Sequence, residues 1–404
     1  MALAPTPPVR ALVVDDTVVV RRLVAGVLDA ADDVEVVGTA SDGHQALQRI
    51  EQLNPDVVTL DVEMPGLDGL ATLDELRRRW PDLPVIMFST LTERGASATL
   101  DALAKGANDY VTKPSNTGSR EEAMGVVRDT LLPLVRAWGQ RNQRRLRPSA
   151  STPSAAATAV APSSPAPALR PPGRPSPVDV VVVGVSTGGP NALAEVLPSL
   201  PASLPVPVVV VQHMPPVFTR MLAERLDAQC ALKVVEAAEG DVVRRGHVYI
   251  APGGSHLVPV RRGTQVVLTL SDAEPENSCR PAVDVTFRAA ASVWGSGVLA
   301  VVLTGMGKDG LQGCEVVLGQ GGRVLAQDEE TSVVWGMPGF VARAGYADEV
   351  LPLDKVAEAV TRRATVARAA AGSLGGVAGG VPAGAVGVRP AGAGVPAVHV
   401  GGAR

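Results

Sequence analysis

The sequence predicts an α/β protein made of two doubly wound parallel-sheet domains, and three observations carry that prediction. Short apolar runs alternate with segments of helical period along most of the chain. In the second half those runs (VDVVVVGV, VPVVVVQ, GVLAVVLTG) are almost wholly apolar and rich in valine, as strands buried on both faces should be. Between the halves lies PSASTPSAAATAVAPSSPAPALRPPGRPSP, a Pro/Ala/Ser-rich stretch that cannot build a core and reads as an extended linker. The 404 residues suffice for two separate cores. The expected division is a first domain over 9–127, a helix end and linker over 128–177, a second domain over 178–366, and a disordered Gly/Ala/Val/Pro tail over 371–404.

Composition narrows the function. A net charge of -4 argues against a general nucleic-acid binder. No apolar run reaches the roughly 18 to 20 residues needed to span a bilayer, and MALAPTPPVR lacks a secretory apolar region, so a cytoplasmic protein without membrane insertion is expected. Cys230, Cys279 and Cys314 stand singly, with neither zinc-site nor disulfide spacing, and all three are read as packing residues.

In the first domain the predicted strands are ALVV, VEVVGTA, DVVTL, PVIMF and DYVT. Sites in such sheets lie beyond the carboxyl ends of the strands, so the residues that follow each run matter most. These are Asp15 and Asp16, then Asp61, Ser89, and Lys113 before Pro114. Carboxylates gathered at one edge repel one another unless a hard cation sits among them, and oxygen-only ligation suits Mg2+. Lys113 and Ser89 supply the charge and the hydroxyl that hold a phosphoryl oxygen once one acid is modified. Helix capping explains Asp42 and Asp68 well, but not the ordered set on successive strands.

These blocks, LVVDDTVVVRRL, TLDVEMPGLDGLATLDEL, VIMFSTLTERGA and GANDYVTKP, resemble the response-regulator receiver family in order and over nearly the whole domain. The resemblance implies a flavodoxin-like fold in which Asp61 accepts phosphate from a histidine kinase. Asp15, Asp16, Asp61 and the backbone carbonyl of Glu63 would hold Mg2+. Ser89, Tyr110 and Lys113 would form the switch.

The second domain raises its own question at GVSTGG, residues 184–189, where a serine sits among glycines between a strand and a helix. Such a turn can cradle a phosphate on helix N–H groups, hold up a nucleophile, or merely cap a helix. Ser186 occupies the place of a dinucleotide fingerprint's second glycine, and no Gly-Lys-Ser/Thr follows, which weakens the cradle. His213 follows the second apolar run and Asp309 the third, so parallel strands would bring Ser186, His213 and Asp309 to one edge as a triad. Of the five histidines only His213 ends a strand of buried type. Asp241, Asp272, Asp284 and Asp328 compete with Asp309, which has the glycine-rich turn Gly305-Met306-Gly307 beside it to donate to an oxyanion. The order Ser, His, Asp is not that of α/β-hydrolases.

GVSTGGPNAL, QHMPPVFTRMLAERLD, GHVYIAPGGSHL, NSCRPAVDVTF, VLTGMGKDGLQG and QDEETSVVWGMPGFV resemble the catalytic domain of the chemotaxis protein-glutamate methylesterase (CheB) family, over most of 178–360. The resemblance implies a Rossmann-like domain with the triad Ser186, His213 and Asp309, an oxyanion site at Met306 and Thr187, and His256 and Arg280 near the substrate. It also implies phosphorylation-activated demethylation of glutamate γ-methyl esters on chemoreceptor helices, with methanol released, and deamidation of receptor glutamines. The esterase needs no cofactor in this reading. Cys279 and Ala282 depart from the family's usual histidine and serine. The same chemistry in a non-flagellar chemosensory pathway, or a phosphate-buffering regulator without turnover, are the alternatives.

Overall fold

The computed structural model describes residues 7–114, 118–146 and 177–374. The expected linker and tail lie largely outside them. The first sheet is formed by β1 (Val9–Val14), β2 (Val34–Ala40), β3 (Val57–Asp61), β4 (Val85–Ser89) and β5 (Asp109–Thr112). Its order is β2-β1-β3-β4-β5, and every pairing is parallel. The helices α1 (Val18–Asp29), α2 (Gly43–Leu53), α3 (Gly69–Arg79), α4 (Glu93–Ala104) and α5 (Arg120–Leu146) connect the strands and close the unit. β3 and β4 are buried at every residue, which is why their sequences show no alternation. α5 runs past the expected boundary at 127. Its Val127, Leu131 and Val135 pack into the core, and Arg141 donates to the carbonyls of Ser332 and Glu330 in the second unit.

The second unit opens with β6 (Val180–Val185), α6 (Gly189–Val196), β7 (Val208–Gln212), α7 (Phe218–Asp227), β8 (Lys233–Glu236) and β9 (His247–Ile250). An antiparallel hairpin follows, β10 (His256–Arg262) with β11 (Gln265–Ser271). The chain returns through α8 (Val283–Trp294), β12 (Val298–Val302), α9 (Leu311–Gly319), β13 (Arg323–Gln327), α10 (Met337–Arg343), β14 (Glu349–Leu351) and α11 (Leu353–Leu374). The sheet order is β14-β13-β12-β6-β7-β9-β8, again all parallel. From β6 the chain winds one way through β7 and the other way through β12. Neighbouring strands therefore diverge at β6 and β12, leaving a crevice beyond their carboxyl ends. β6, β7 and β12 are buried throughout, so that crevice stands on fully buried strands.

The two units touch through specific groups. Tyr110 of β5 stacks on Phe218 at the start of α7, with ring centroids 4.9 Å apart. Arg220 and Arg225 on α7 pair with Glu93 and Asp101 on α4. Asn191 of α6 donates to the carbonyl of Ala107, just before β5. No helix of the described residues is long and apolar enough to cross a membrane.

Candidate active site

Ser186 follows β6, His213 follows β7, and Asp309 lies on the loop after β12, so the three arrive at one edge as the parallel reading requires. The turn after Ser186 depends on Gly188, whose φ of +74° favours glycine and whose added Cβ would lie 2.5 Å from Val333. Gly305 lets the third loop approach, because a Cβ there would lie 2.8 Å from that of Ser186. Gln212 ties the first two loops together. Its side-chain amide donates to the carbonyl of Ser186 at 3.0 Å and to that of His213 at 3.2 Å.

Asp309 is almost fully buried and receives five donors: the backbone N–H groups of Val283, Asp284 and Gly310, the Asn277 amide, and His213 Nε2 at 2.9 Å. The Val283 and Asp284 groups open α8, whose N-terminal dipole favours a negative charge. Burial pushes the Asp309 carboxyl up, but the bond and charge of His213 and these N–H groups overcome it and hold the pKa below its ordinary value. Burial pulls the His213 imidazole down, and its bonds to Asp309 and Cys279 more than reverse this, so its pKa is pushed up to about 9. Asp284, a rival for Asp309 by sequence, accepts from Gly313 N and Asn277 instead, and its carboxyl is pushed up to about 6, chiefly by burial.

Ser186, Thr187, His213 and Met306 line one cleft of about 510 Å³. The first unit also lines it, with Tyr110, Thr130 and Leu134. Two expected substrate residues do not line it. His256 is 1% exposed, accepts from Ala282 N through Nδ1 and donates from Nε2 to the carbonyl of Glu274. With both nitrogens engaged it anchors the start of α8 rather than facing a ligand. Arg280 is exposed and bonds the carbonyls of Asp272 and Ala273.

The packing role expected for all three cysteines holds for Cys314, which is buried in the core, and fails for Cys279. Cys279 lines the cleft with its Sγ 3.5 Å from His213 Nδ1. The single spacing of Cys279 gave no hint of this. The roles of Gln212 and Asn277 were also missed, although Gln212 directly precedes His213.

At the carboxyl edge of the first sheet Asp15, Asp16 and Asp61 present oxygens within 4.8 Å of one another. Lys113 Nζ reaches Asp15 at 2.9 Å and Asp61 at 2.7 Å. Burial pushes Asp61 up to about 6, against the pull of Lys113. Glu63 N donates to Asp61, and Ser89 donates to the carbonyl of Gly95. An all-oxygen set with two buried carboxylates fits a hard divalent cation.

Comparisons with known proteins match both domains. The receiver model (response regulator receiver domain) matches residues 11–124, and the CheB methylesterase model matches 181–360. A protein-glutamate methylesterase/protein-glutamine glutaminase of Trichodesmium erythraeum (strain IMS101) is 50% identical over 357 residues, which are 88% of this chain and 99% of that protein. The chain belongs to the CheB methylesterase family. It is an enzyme of the protein-glutamate methylesterase/protein-glutamine glutaminase class carrying a response-regulator receiver. A protein-glutamate methylesterase/protein-glutamine glutaminase from Nocardioides sp. (strain ATCC BAA-499 / JS614) is 50% identical over 361 residues, 88% of this chain and 96% of that one. The crystal structure of the Thermotoga maritima CheB methylesterase catalytic domain is 49% identical, covers 46% of this chain and 98% of that chain, and superposes with a TM-score of 0.45.

Proposed function

We propose that Ser186, His213 and Asp309 hydrolyse glutamate γ-methyl esters and glutamine side-chain amides on chemoreceptor helices, and that phosphorylation of Asp61 uncovers them. The observation that carries this reading is the position of the cleft. Ser186 and His213 line it together with the receiver's Tyr110, Thr130 and Leu134. A substrate carried on a long helix cannot enter while the receiver stands there.

Once the cleft is open and His213 has lost its Nδ1 proton, Ser186 Oγ attacks the ester carbonyl and His213 takes the serine proton at Nδ1, the nitrogen turned away from Asp309 and beside Cys279 Sγ. The imidazolium then gives that proton to the departing methoxide, and methanol leaves an acyl-enzyme. Water, deprotonated by the same nitrogen, releases free glutamate and restores the serine. Asp309 fixes the tautomer with its proton on Nε2 and steadies the imidazolium. The backbone at Met306 and Thr187 on the cleft wall would serve the oxyanion. The same steps with ammonia leaving give deamidation.

In the receiver, Asp15, Asp16, Asp61 and the Glu63 carbonyl would hold Mg2+, which when bound neutralises the phosphoryl oxygens as a histidine kinase donates them. Lys113 and Ser89 would contact the phosphoryl group, and Tyr110, stacked on Phe218, would carry the change to the second domain. A covalent serine probe tests the catalytic assignment. Labelling is expected in the wild type and absent in Ser186→Ala, and equal labelling of that variant would overturn it.

A further inference from the structure

Cys279 is a departure whose surroundings are chemically loaded. Its Sγ lies 3.5 Å from His213 Nδ1. A tetrahedral zinc ion with its sulfur ligand at about 2.3 Å and its nitrogen ligand at about 2.0 Å holds those two atoms about 3.5 Å apart. The far side of the ring is arranged as zinc-bound histidines usually are, with Nε2 on a carboxylate that fixes orientation. Asp309 cannot itself turn to a metal, since its five donors already occupy both oxygens. It belongs to the same close His/Cys/Asp group as the partner behind the ring.

We propose that Cys279 Sγ and His213 Nδ1 bind one borderline-soft divalent cation of the zinc class, and that this closes the esterase. The site opens onto the cleft, so water can complete the coordination sphere. Binding breaks the Cys279 S–H bond and the Nδ1–H bond of the protonated imidazole, forms a sulfur–metal and a nitrogen–metal bond, and sends both protons to solvent. Inhibition follows because the metal occupies the nitrogen that must take the Ser186 proton. That step rests on the catalytic reading above, whereas the binding itself does not.

The selectivity is set by donor type. Among the described residues the other close group is Asp15, Asp16 and Asp61, an all-oxygen set suited to Mg2+, whereas a thiolate with an imidazole suits zinc. Neither other cysteine offers this setting. Cys314 is fully buried in the core, and burial pushes the Cys230 thiol up to about 11.

The test uses the full chain, wild type and the variants Cys279→Ser, Cys230→Ser and His213→Gln, each checked for folding by circular dichroism. One equivalent of Zn2+ should be drawn from a chromophoric chelator by the wild type and by Cys230→Ser, and at least tenfold more weakly by Cys279→Ser and His213→Gln. Co2+ should give a thiolate-to-cobalt charge-transfer band in the first pair alone. Equal zinc binding by Cys279→Ser, or no such band from folded wild type, overturns the proposal. Zinc at saturation should also block labelling of Ser186 by the serine probe, and undiminished labelling overturns the inhibitory part. Failure of the catalytic reading would be seen separately, as an absence of labelling without metal, while the cobalt band and the chelator competition need no turnover.

Discussion

The carboxylate of Asp109, in the receiver, accepts a hydrogen bond at 3.0 Å from the backbone N–H of Gly188, two residues past Ser186. Asp109 is buried and directly precedes Tyr110, whose ring stacks on Phe218. One residue pair thus joins β5 of the receiver to the turn that carries Ser186. Leaving the buried N–H of Gly188 without this acceptor costs about 1–3 kcal/mol. Asp109→Ala should loosen the closed arrangement and raise the unphosphorylated rate of methanol release by roughly tenfold. An unchanged rate in a folded variant would remove Asp109 from the latch.

The same residue gives a pH dependence. Burial pushes the Asp109 carboxyl up to about 6, against the hydrogen bonds from Tyr110 and Gly188 N. On opening it regains water and its pKa falls back toward the ordinary value of 3.8. The closed form therefore binds the proton more tightly, so closure is most favoured below the lower of these values and weakens as pH rises to about 6. Above that it should change no further. Fluorescence transfer between dyes on the two domains should report opening across that window, and Asp109→Asn should flatten the response.

The exposed pairs Arg220–Glu93 and Arg225–Asp101 also hold the receiver against α7. Surface pairs contribute only about 0.2–1 kcal/mol each and are screened by salt. Glu93→Gln with Asp101→Asn should raise the unphosphorylated rate by no more than a fewfold, and added salt should erase the difference from wild type. A larger, salt-independent rise would mean that these residues do more than pair.

Gln212 predicts a different kinetic signature. Because its amide holds the carbonyls of both Ser186 and His213, Gln212→Ala should let the two loops drift. Small misplacements of catalytic groups cost about 10²-fold. The loss should fall on kcat with KM little changed, and a loss confined to KM would contradict a positioning role.

Much of this was legible in the sequence, for physical reasons. Buried parallel strands must be continuously apolar, and such strands in doubly wound sheets end at one edge, so the arrival of Ser186, His213 and Asp309 at that edge could be anticipated, although four other acids competed with Asp309. The order of Asp15, Asp61, Ser89 and Lys113 on successive strands was legible in the same way. What could not be read were contacts between segments distant in the chain. Nothing in DYVTKP announces that Asp109 reaches the Gly188 turn, because the bond depends on how two domains meet. His256 sits after a glycine turn like a surface residue, yet the start of α8 closes over it. Cys279 faces the triad through a loop whose course carries no periodic signal.

A serine triad covered by the receiver and released when Asp61 is phosphorylated requires that turnover follow the phosphorylation state of the receiver. Methanol release from a methylated chemoreceptor fragment, with and without a small-molecule phosphodonor and Mg2+, tests it most directly. Wild type should be stimulated by the phosphodonor, Asp61→Asn should stay at its basal rate, and Ser186→Ala should release none. Equal stimulation of Asp61→Asn, or undiminished release by Ser186→Ala, would contradict the account.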